Sequence, residues 1–136
     1  MSSSSADTGE KIQIVIADDH PIVREGLTAI LGLQKDFQIV GQAEDGEQAC
    51  QLCHQFSPDI LILDLRMPGM DGLQLQRLLA SRSYQIPIIF VTAHGSDQDE
   101  REAMKAGAVG FLRKPVSKEA LLKAIQTALM HATLRE

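Results

Sequence analysis

Apolar and polar residues alternate along the chain in five short apolar runs, each followed by a stretch with helical spacing. The runs are Ile12–Ala17, Phe37–Ala43, Ile60–Leu63, 86–91 and 108–112. The first, third and fourth runs are apolar almost throughout and rich in Ile and Val, which is typical of parallel strands covered on both faces by helices. The second run is weaker and more alternating, which predicts a strand at the edge of the sheet.

Apolar residues recur at intervals of three or four between and after the strands, which predicts five helices. The apolar stripes are Val23, Leu27, Ile30 and Leu31; Ala49, Cys53 and Phe56; Leu75, Leu78 and Leu79; a weakly apolar segment at 100–106; and Leu121, Leu122, Ile125, Ala128 and Leu129. Asp45, Ser96 and Ser117 are placed to cap helix starts, and Gly107 is placed to end the fourth helix. This alternation of strands and helices predicts an α/β fold, a doubly wound parallel sheet.

Length and charge narrow the function classes. The chain has 136 residues, which suits one domain at 11–134, and residues 1–10 predict a disordered, Ser-rich N-terminal lead. The net charge of −5 argues against direct binding of nucleic acid, which needs a basic face. No apolar run approaches the ~18 residues of a membrane span. Cys50 and Cys53 lack the setting of a redox or zinc site, and a reducing cytoplasm is the expected location.

Polar residues follow four of the five predicted strands. Asp18 and Asp19 follow the first strand, Asp64 the third, Thr92 the fourth, and Lys114 lies just after the fifth. In an open α/β sheet, the carboxyl ends of the strands form the rim where ligands bind. A turn or cap role explains any one of these residues, but explains the combination poorly. We therefore expect the five side chains to meet at one site.

Three carboxylates and one ammonium group restrict the chemistry of such a site. Hard oxygen ligands favour Mg2+, with Mn2+ as its substitute, and a cation would relieve the repulsion among the acids. Asp64 is ionised at neutral pH and can attack phosphorus without a general base. Lys114 can meet the phosphoryl group as a point charge, and Thr92 can form a hydrogen bond to it. The product, an acyl phosphate, is labile, which suits a switch better than a metabolic enzyme.

Four segments carry a resemblance to a known family: VIADDHPIVREGL at 15–27, DLRMPGMDG at 64–72, FVTAHG at 90–95 and AMKAGAVGFLRKP at 103–115. The chain resembles a response-regulator receiver domain of two-component signalling over about residues 11–134. The resemblance implies a flavodoxin-like sheet with strand order 2-1-3-4-5. The start of the chain is similar to regulators whose output is a LuxR-type helix-turn-helix domain, which implies transcription regulation.

The resemblance also assigns the metal site. It implies that Asp64 is the phosphoacceptor and that Asp19 and Asp64 bind Mg2+ directly, together with the backbone carbonyl of Arg66. Asp18 would act through a metal-bound water. The domain would then catalyse only its own phosphorylation and dephosphorylation, rather than act as an enzyme on other substrates.

The remaining roles implied by the resemblance concern the phosphoryl group and the switch. Thr92 would move toward the phosphoryl group, Lys114 would pair with it, and the backbone N–H of Ala93 would assist. Phe111 matches the switch aromatic, which turns inward on activation and changes the face formed by helix 4, strand 5 and helix 5. The Lys114–Pro115 peptide bond would be cis.

Three further polar residues lie near the same loops. Arg66 stands two residues after Asp64, and His94 two residues after Thr92. We hypothesise that both side chains set the lifetime of the acyl phosphate by controlling how water approaches it. The alternative is that both are solvated loop side chains without a role in the site. His20 follows the acid pair, and the interpretation is a loop or helix-entry residue before Pro21 rather than a metal ligand.

The expected partners are a histidine kinase or phosphotransfer protein, a C-terminal output domain outside this chain, and a second copy in a phosphorylation-dependent homodimer. The sequence does not choose between a transcription regulator and a stand-alone relay. Two other functions compete. An Asp-nucleophile phosphatase usually needs a second acid where Arg66 stands. A receiver fold that binds partners without phosphorylation would not need the complete set of acids, Thr and Lys.

Overall fold

The polypeptide alternates strictly between strand and helix in the computed structural model, which describes residues 11–134, without the side chains of 131–134. The strands are β1 (Ile12–Ala17), β2 (Phe37–Ala43), β3 (Ile60–Leu63), β4 (Ile88–Thr92) and β5 (Gly110–Arg113). The helices are α1 (Pro21–Gly32), α2 (Gly46–Phe56), α3 (Gly72–Ser81), α4 (Asp97–Lys105) and α5 (Lys118–Leu134). The disordered lead expected at residues 1–10 lies outside the described residues.

All strands are parallel and lie in the order β2-β1-β3-β4-β5, which confirms both the doubly wound sheet and the edge position of β2. Alternate residues of the inner strands face opposite sides. Val15, Leu63 and Phe90 pack in one core with residues of α2, α3 and α4. Ile16 and Ile62 pack in the other core, with α1 and α5. Burial of both faces explains why the inner strands are continuously apolar.

The limits of three elements differ from the sequence prediction. Strand β4 was expected at 86–91 and β5 at 108–112, but each begins two residues later and extends one residue further. The extension arises because Thr92 and Arg113 pair across the two strands despite their polarity. Ala108 instead donates its N–H to the carbonyl of Ala103, as part of the turn that ends α4. Helix α4 was expected at 100–106, but it begins at Asp97 and ends at Lys105.

Side-chain caps fix the starts of the helices that border the rim. Ser96 accepts a hydrogen bond from the N–H of Asp99 in a complete capping box at α4, as the sequence predicts. Asp45 caps α2, and Ser117 accepts from the first turn of α5. Gly107 takes a φ of 108° just beyond α4, a conformation that favours glycine. The loops between strands and helices are therefore held at both ends.

None of the helices in the described part of the chain combines the length and the apolar character needed to cross a bilayer.

Candidate functional site

The carboxyl ends of β1, β3 and β5 bring two buried acids against one lysine. Asp18 is 2% exposed and Asp64 is 3% exposed, while the side chain of Lys114 is 13% exposed. Lys114 Nζ lies 2.8 Å from Asp18 Oδ2 and 3.3 Å from Asp64 Oδ2. The three residues are far apart in sequence, so the sheet itself assembles this triad, as the strand-end argument predicts.

Asp19 and His20 complete an acidic cluster on the open side of the triad. His20 Nδ1 lies 3.0 Å from Asp18 Oδ1, 3.1 Å from Asp19 Oδ1 and 3.9 Å from Asp64 Oδ2. One ligand atom from each of Asp18, Asp19, His20 and Asp64 lies within 4.8 Å of every other. The expected position of His20 is confirmed, because it is the N-cap residue before Pro21 at the start of α1.

The donor set fits a divalent cation. Asp19 Oδ1 is buried and accepts no hydrogen bond of acceptable geometry, although His20 Nδ1 is only 3.1 Å away. A buried carboxylate oxygen without a hydrogen-bond donor is costly, and a metal ion would satisfy it. Oxygen atoms from three carboxylates are the ligands that Mg2+ and Mn2+ prefer. The residues on this rim therefore match the cation that the sequence predicts.

The surroundings of Asp64 disfavour its charge. Burial raises the pKa of Asp64 above its ordinary value, and the neighbouring charge of Asp18 raises it further. The Lys114 ammonium, the backbone N–H of Arg66 and the Thr92 hydroxyl act in the opposite direction. The backbone N–H of Arg66 lies 3.4 Å from Asp64 Oδ1. Among the groups that lower the pKa of Asp64, the Lys114 ammonium contributes most.

Thr92 lies at the floor of the site and Ala93 and His94 at its edge. Thr92 is fully buried, whereas Ala93 and His94 are exposed. The N–H of His94 is 3.5 Å from Thr92 Oγ1, and the carbonyl of Thr92 accepts from the N–H of Lys114. The strand pairing that holds Thr92 therefore also fixes Lys114. The Lys114–Pro115 peptide bond is cis, as the resemblance implies.

Phe111 lies on β5, next to the end of β4 where Thr92 lies, and its side chain is half-buried. It packs 6.0 Å from the ring of Phe90, between centroids, with the guanidinium of Arg113 5.1 Å from its own centroid. A Cβ added at Gly95 would lie 2.6 Å from Phe111 Cζ and 2.8 Å from Thr92 Cγ2. Glycine at position 95 therefore leaves the space that the Phe111 ring occupies beside Thr92.

We expect Gly95→Ala to move the Phe111 ring out of this position, because the half-buried Phe111 side chain can swing about its Cα–Cβ bond more easily than the fully buried Thr92 side chain can move. The free energy of unfolding should fall by about 1 kcal/mol, the low end for added volume in a packed region. The aromatic NMR resonances of Phe111 should shift while those of Phe56, at the far end of α2, stay constant. Unchanged Phe111 resonances would show that the ring does not depend on Gly95.

The side chain of Arg66 points away from the acidic cluster and toward α4. Its guanidinium NH2 lies 3.1 Å from Asp99 Oδ2 in the capping box of α4. The backbone N–H of Ser96 holds the pKa of Asp99 below its ordinary value, and Arg66 contributes to the same shift. The Arg66–Asp99 pair therefore connects the loop after β3 to the start of α4. The sequence places Arg66 at the border of the site but gives no signal for this partner.

Arg113 of β5 forms a second connection to α4, which the sequence also did not predict. Arg113 NH1 lies 3.0 Å from Glu100 Oε1, and Arg113 NH2 lies 3.4 Å from Asp97 Oδ1. The sequence shows mixed charges in this region but cannot choose the pairs. A third unpredicted feature is the contact of the His20 ring with the acids. The sequence places His20 directly after two acids, but the interpretation there is a helix-entry residue without such contacts.

Comparison with known proteins identifies the family of this chain. Residues 14–126 match the family described as the response regulator receiver domain. The transcriptional regulatory protein NarL of Mycobacterium tuberculosis is 40% identical over 118 residues, which cover 85% of this chain and 54% of that protein. The nitrate/nitrite response regulator NarL of Escherichia coli is 37% identical over 119 residues, covering 88% of this chain and 55% of that protein. The chain thus spans about half the length of these curated relatives.

Solved structures give the same result. The signal receiver domain of NarL from Mycobacterium tuberculosis superimposes with a TM-score of 0.81 at 37% identity, covering 86% of this chain and 94% of that one. CheY in the CheX–CheY–BeF3–Mg2+ complex from Borrelia burgdorferi superimposes with a TM-score of 0.84 at 28% identity, covering 91% and 93%. The fold, the acidic rim and these matches define a signalling receiver domain. The chain belongs to the response regulator receiver domain family of two-component signalling.

Proposed function

We propose that Asp64 accepts a phosphoryl group from a histidine kinase or phosphotransfer protein. The observation that carries this proposal is the burial of Asp64 beside Asp18, with Lys114 Nζ 3.3 Å from its carboxylate. A carboxylate held beside an ammonium group can attack phosphorus while the lysine neutralises the transferred charge. The relative from Borrelia burgdorferi, solved with BeF3 and Mg2+, supports the same use of this site.

The metal would be held by Asp19, Asp64 and the backbone carbonyl of Arg66, with Asp18 acting through water. The unsatisfied Asp19 oxygen supports this assignment. Mg2+, or Mn2+ in its place, would supply charge neutralisation for the phosphoryl oxygens. The acids need this neutralisation, because burial and Asp18 together raise the pKa of Asp64.

The transfer itself conserves atoms and charge. An Asp64 oxygen forms a new O–P bond as the P–N bond to the donor imidazole breaks, and the electron pair of that bond stays on the imidazole nitrogen. Lys114 pairs with the phosphoryl oxygens, and the Thr92 hydroxyl and the Ala93 N–H donate hydrogen bonds to them. Hydrolysis later cleaves the acyl phosphate at phosphorus and returns the Asp64 carboxylate. The domain modifies only itself, so it is not an enzyme in the usual sense.

The switch follows from the contacts behind the site. Movement of Thr92 toward the phosphoryl group would change the space beside Gly95, into which the Phe111 ring packs. Arg113 lies over that ring and pairs with Asp97 and Glu100 at the start of α4. Phosphorylation would therefore shift the populations of two arrangements of the α4–β5–α5 face.

The altered face would control an output, by pairing two copies of the domain or by releasing a C-terminal output domain. The relative NarL of Mycobacterium tuberculosis is named a transcriptional regulatory protein and is about twice the length of the matched region, which supports a role in transcription regulation. We place the phosphoryl transfer in the cytoplasm, because the buried free thiols of Cys50 and Cys53 suit a reducing compartment.

Arg66 and His94 are proposed to set the lifetime of the acyl phosphate. Arg66 pairs with Asp99 in the structure, so this role requires its guanidinium to turn toward the attached phosphoryl group. We expect Arg66→Ala and His94→Ala each to shorten that lifetime roughly threefold to tenfold, because both side chains would then limit the access of water to phosphorus. The measurement is loss of the phosphorylated mass over time after the phosphodonor is removed. Arg77→Ala, an exposed change on α3, is the control. Lifetimes equal to that of the control would remove this role.

The proposed function can be tested with beryllofluoride, which mimics the phosphoryl group. With Mg2+ present, the amide resonances of Thr92, Ala93 and Lys114 should shift, and the changes should spread to α4 and β5. Without Mg2+, they should stay constant. No response in either case would favour a receiver fold that binds partners without phosphorylation. Turnover of a small phosphate ester by the same sample would favour an Asp-nucleophile phosphatase.

A further inference from the structure

The imidazole of His20 lies where a ligand of the proposed metal ion would lie. As the N-cap residue of α1, His20 makes no side-chain capping hydrogen bond, so capping does not explain the direction of its ring. Its Nδ1 instead faces the acids, at 3.0 Å from Asp18 Oδ1 and 3.1 Å from Asp19 Oδ1. The distance to Asp64 Oδ2 is 3.9 Å.

These distances match the spacing of ligands around one ion. Adjacent ligand atoms of an octahedral ion bound at about 2.1 Å lie about 3 Å apart, and opposite ones about 4 Å apart. The separations of His20 Nδ1 from Asp19 Oδ1 and Asp64 Oδ2, 3.1 Å and 3.9 Å, fall in this range. The four candidate ligand atoms lie within 4.8 Å of one another, a wider spacing that a bound ion would have to tighten. The buried Asp19 Oδ1, which accepts no hydrogen bond, independently points to a cation here.

We propose that His20 supplies a nitrogen ligand to this ion beside the carboxylates of Asp19 and Asp64, so that the site binds borderline transition-metal ions such as Co2+ or Ni2+ more tightly than oxygen ligands alone would. The inference rests on the proposed metal site. Imidazole strengthens binding of borderline first-row ions far more than that of Mg2+, which keeps oxygen ligands and water. His20 therefore sets the preference between transition-metal ions and Mg2+.

The same contacts have a simpler reading, in which the ring only donates a hydrogen bond to Asp18 Oδ1. Removal of the ring would then disturb Asp18 and weaken every divalent ion alike. A nitrogen ligand instead predicts a selective loss for transition-metal ions. The ratio of two affinities therefore separates the two readings, whereas a single affinity does not.

The first test is calorimetric titration of the whole chain with Co2+ and with Mg2+. In His20→Phe, which keeps a planar ring without nitrogen, Co2+ affinity should fall about tenfold or more, the range for weakened support of a metal site. Mg2+ affinity should change by less than about twofold. His20→Ala provides a second variant should phenylalanine disturb folding. The control is His54→Asn, whose ring contacts Tyr84 on another part of the surface.

The second test is pulsed EPR of bound Mn2+ in protein labelled with 15N at histidine. The wild type and His54→Asn should show a 15N coupling from one directly bound imidazole, and His20→Phe should lose it. No 15N coupling in the wild type, or equal loss of Co2+ and Mg2+ affinity in both His20 variants, would overturn the inference. Mg2+-dependent beryllofluoride binding in those same samples would still support the receiver function. Absence of any metal binding would contradict both.

Discussion

Lys114→Met should lower the free energy of unfolding by about 3 kcal/mol at pH 7 without divalent ions. The change keeps most of the side-chain volume and removes the charge that lies 2.8 Å from Asp18 and 3.3 Å from Asp64. Breaking a buried pair by removing one partner costs about 3–5 kcal/mol, because a buried charge is left uncompensated. Urea denaturation in EDTA measures the difference, and Lys35→Met, at an exposed lysine, is the control.

The loss should depend on pH in a defined direction. Burial and Asp18 already raise the folded-state pKa of Asp64 above its unfolded value, so its ionisation removes stability as pH rises through the folded pKa. Lys114 opposes this shift, and without it the pKa of Asp64 rises further. The difference between wild type and Lys114→Met should therefore be small below pH ~3, where the Asp64 carboxyl is protonated in both the folded and the unfolded protein, and grow toward neutral pH. Addition of Asp64→Asn should restore much of the lost stability. A pH-independent difference would contradict this explanation.

Gly72→Ala should destabilise the domain by about 3 kcal/mol, the upper end for overpacking. A Cβ at position 72 would lie 2.4 Å from the backbone carbonyl oxygen of Asp64 and 3.0 Å from Leu65 Cα. Backbone atoms cannot rotate away, so the loop after β3 must move. The displacement would reach the phosphoacceptor, so phosphorylation should slow as well. Thermal unfolding and the rate of phosphorylation measure the two effects.

The matched control is Gly26→Ala, in the middle of α1. A Cβ at Gly26 would meet no atom within 4 Å. The same substitution there should stabilise the domain by about 0.5–1 kcal/mol, because alanine is the better helix former. If both substitutions changed the free energy of unfolding equally, the close approach of the Asp64 carbonyl would not be the reason for glycine at position 72.

The strand ends made the central site predictable from sequence. Each apolar run marks a buried strand, and the polar residues just after it mark the rim, so Asp18, Asp64 and Lys114 could be placed together before any contact was known. The argument needs only the period of the strands and the direction of the sheet. It placed Thr92 just after β4, whereas Thr92 is the last residue of that strand, because strand pairing with Arg113 continues through polar residues.

Side-chain partners within the rim could not be predicted. Arg66 is two residues from Asp64 in sequence, yet its guanidinium pairs with Asp99 on α4. The direction of a long, flexible side chain depends on neighbours from other elements, which periodicity does not specify. His20 illustrates the same limit at the metal site, since its sequence position fixes the start of α1 but not the direction of its ring.

The need for glycine at two positions also depends on tertiary packing. Gly72 and Gly95 are needed because other groups approach closely, the Asp64 carbonyl in one case and the Phe111 ring in the other. The sequence does not show this need, because the approaching groups, Asp64 just after β3 and Phe111 of β5, are brought to the glycines by the fold. Both glycines border the site, so the space they leave links the phosphoacceptor to the proposed switch.

The most direct test of the central claim is the intact mass of the chain after incubation with acetyl phosphate and Mg2+. The wild type should gain about 80 Da, the mass of one phosphoryl group, and should lose the gain when EDTA replaces Mg2+. Asp59→Asn, at the opposite end of the same strand, should still gain the mass, and Asp64→Asn should not. A full gain in Asp64→Asn, or none in the wild type, would contradict phosphoryl transfer to Asp64.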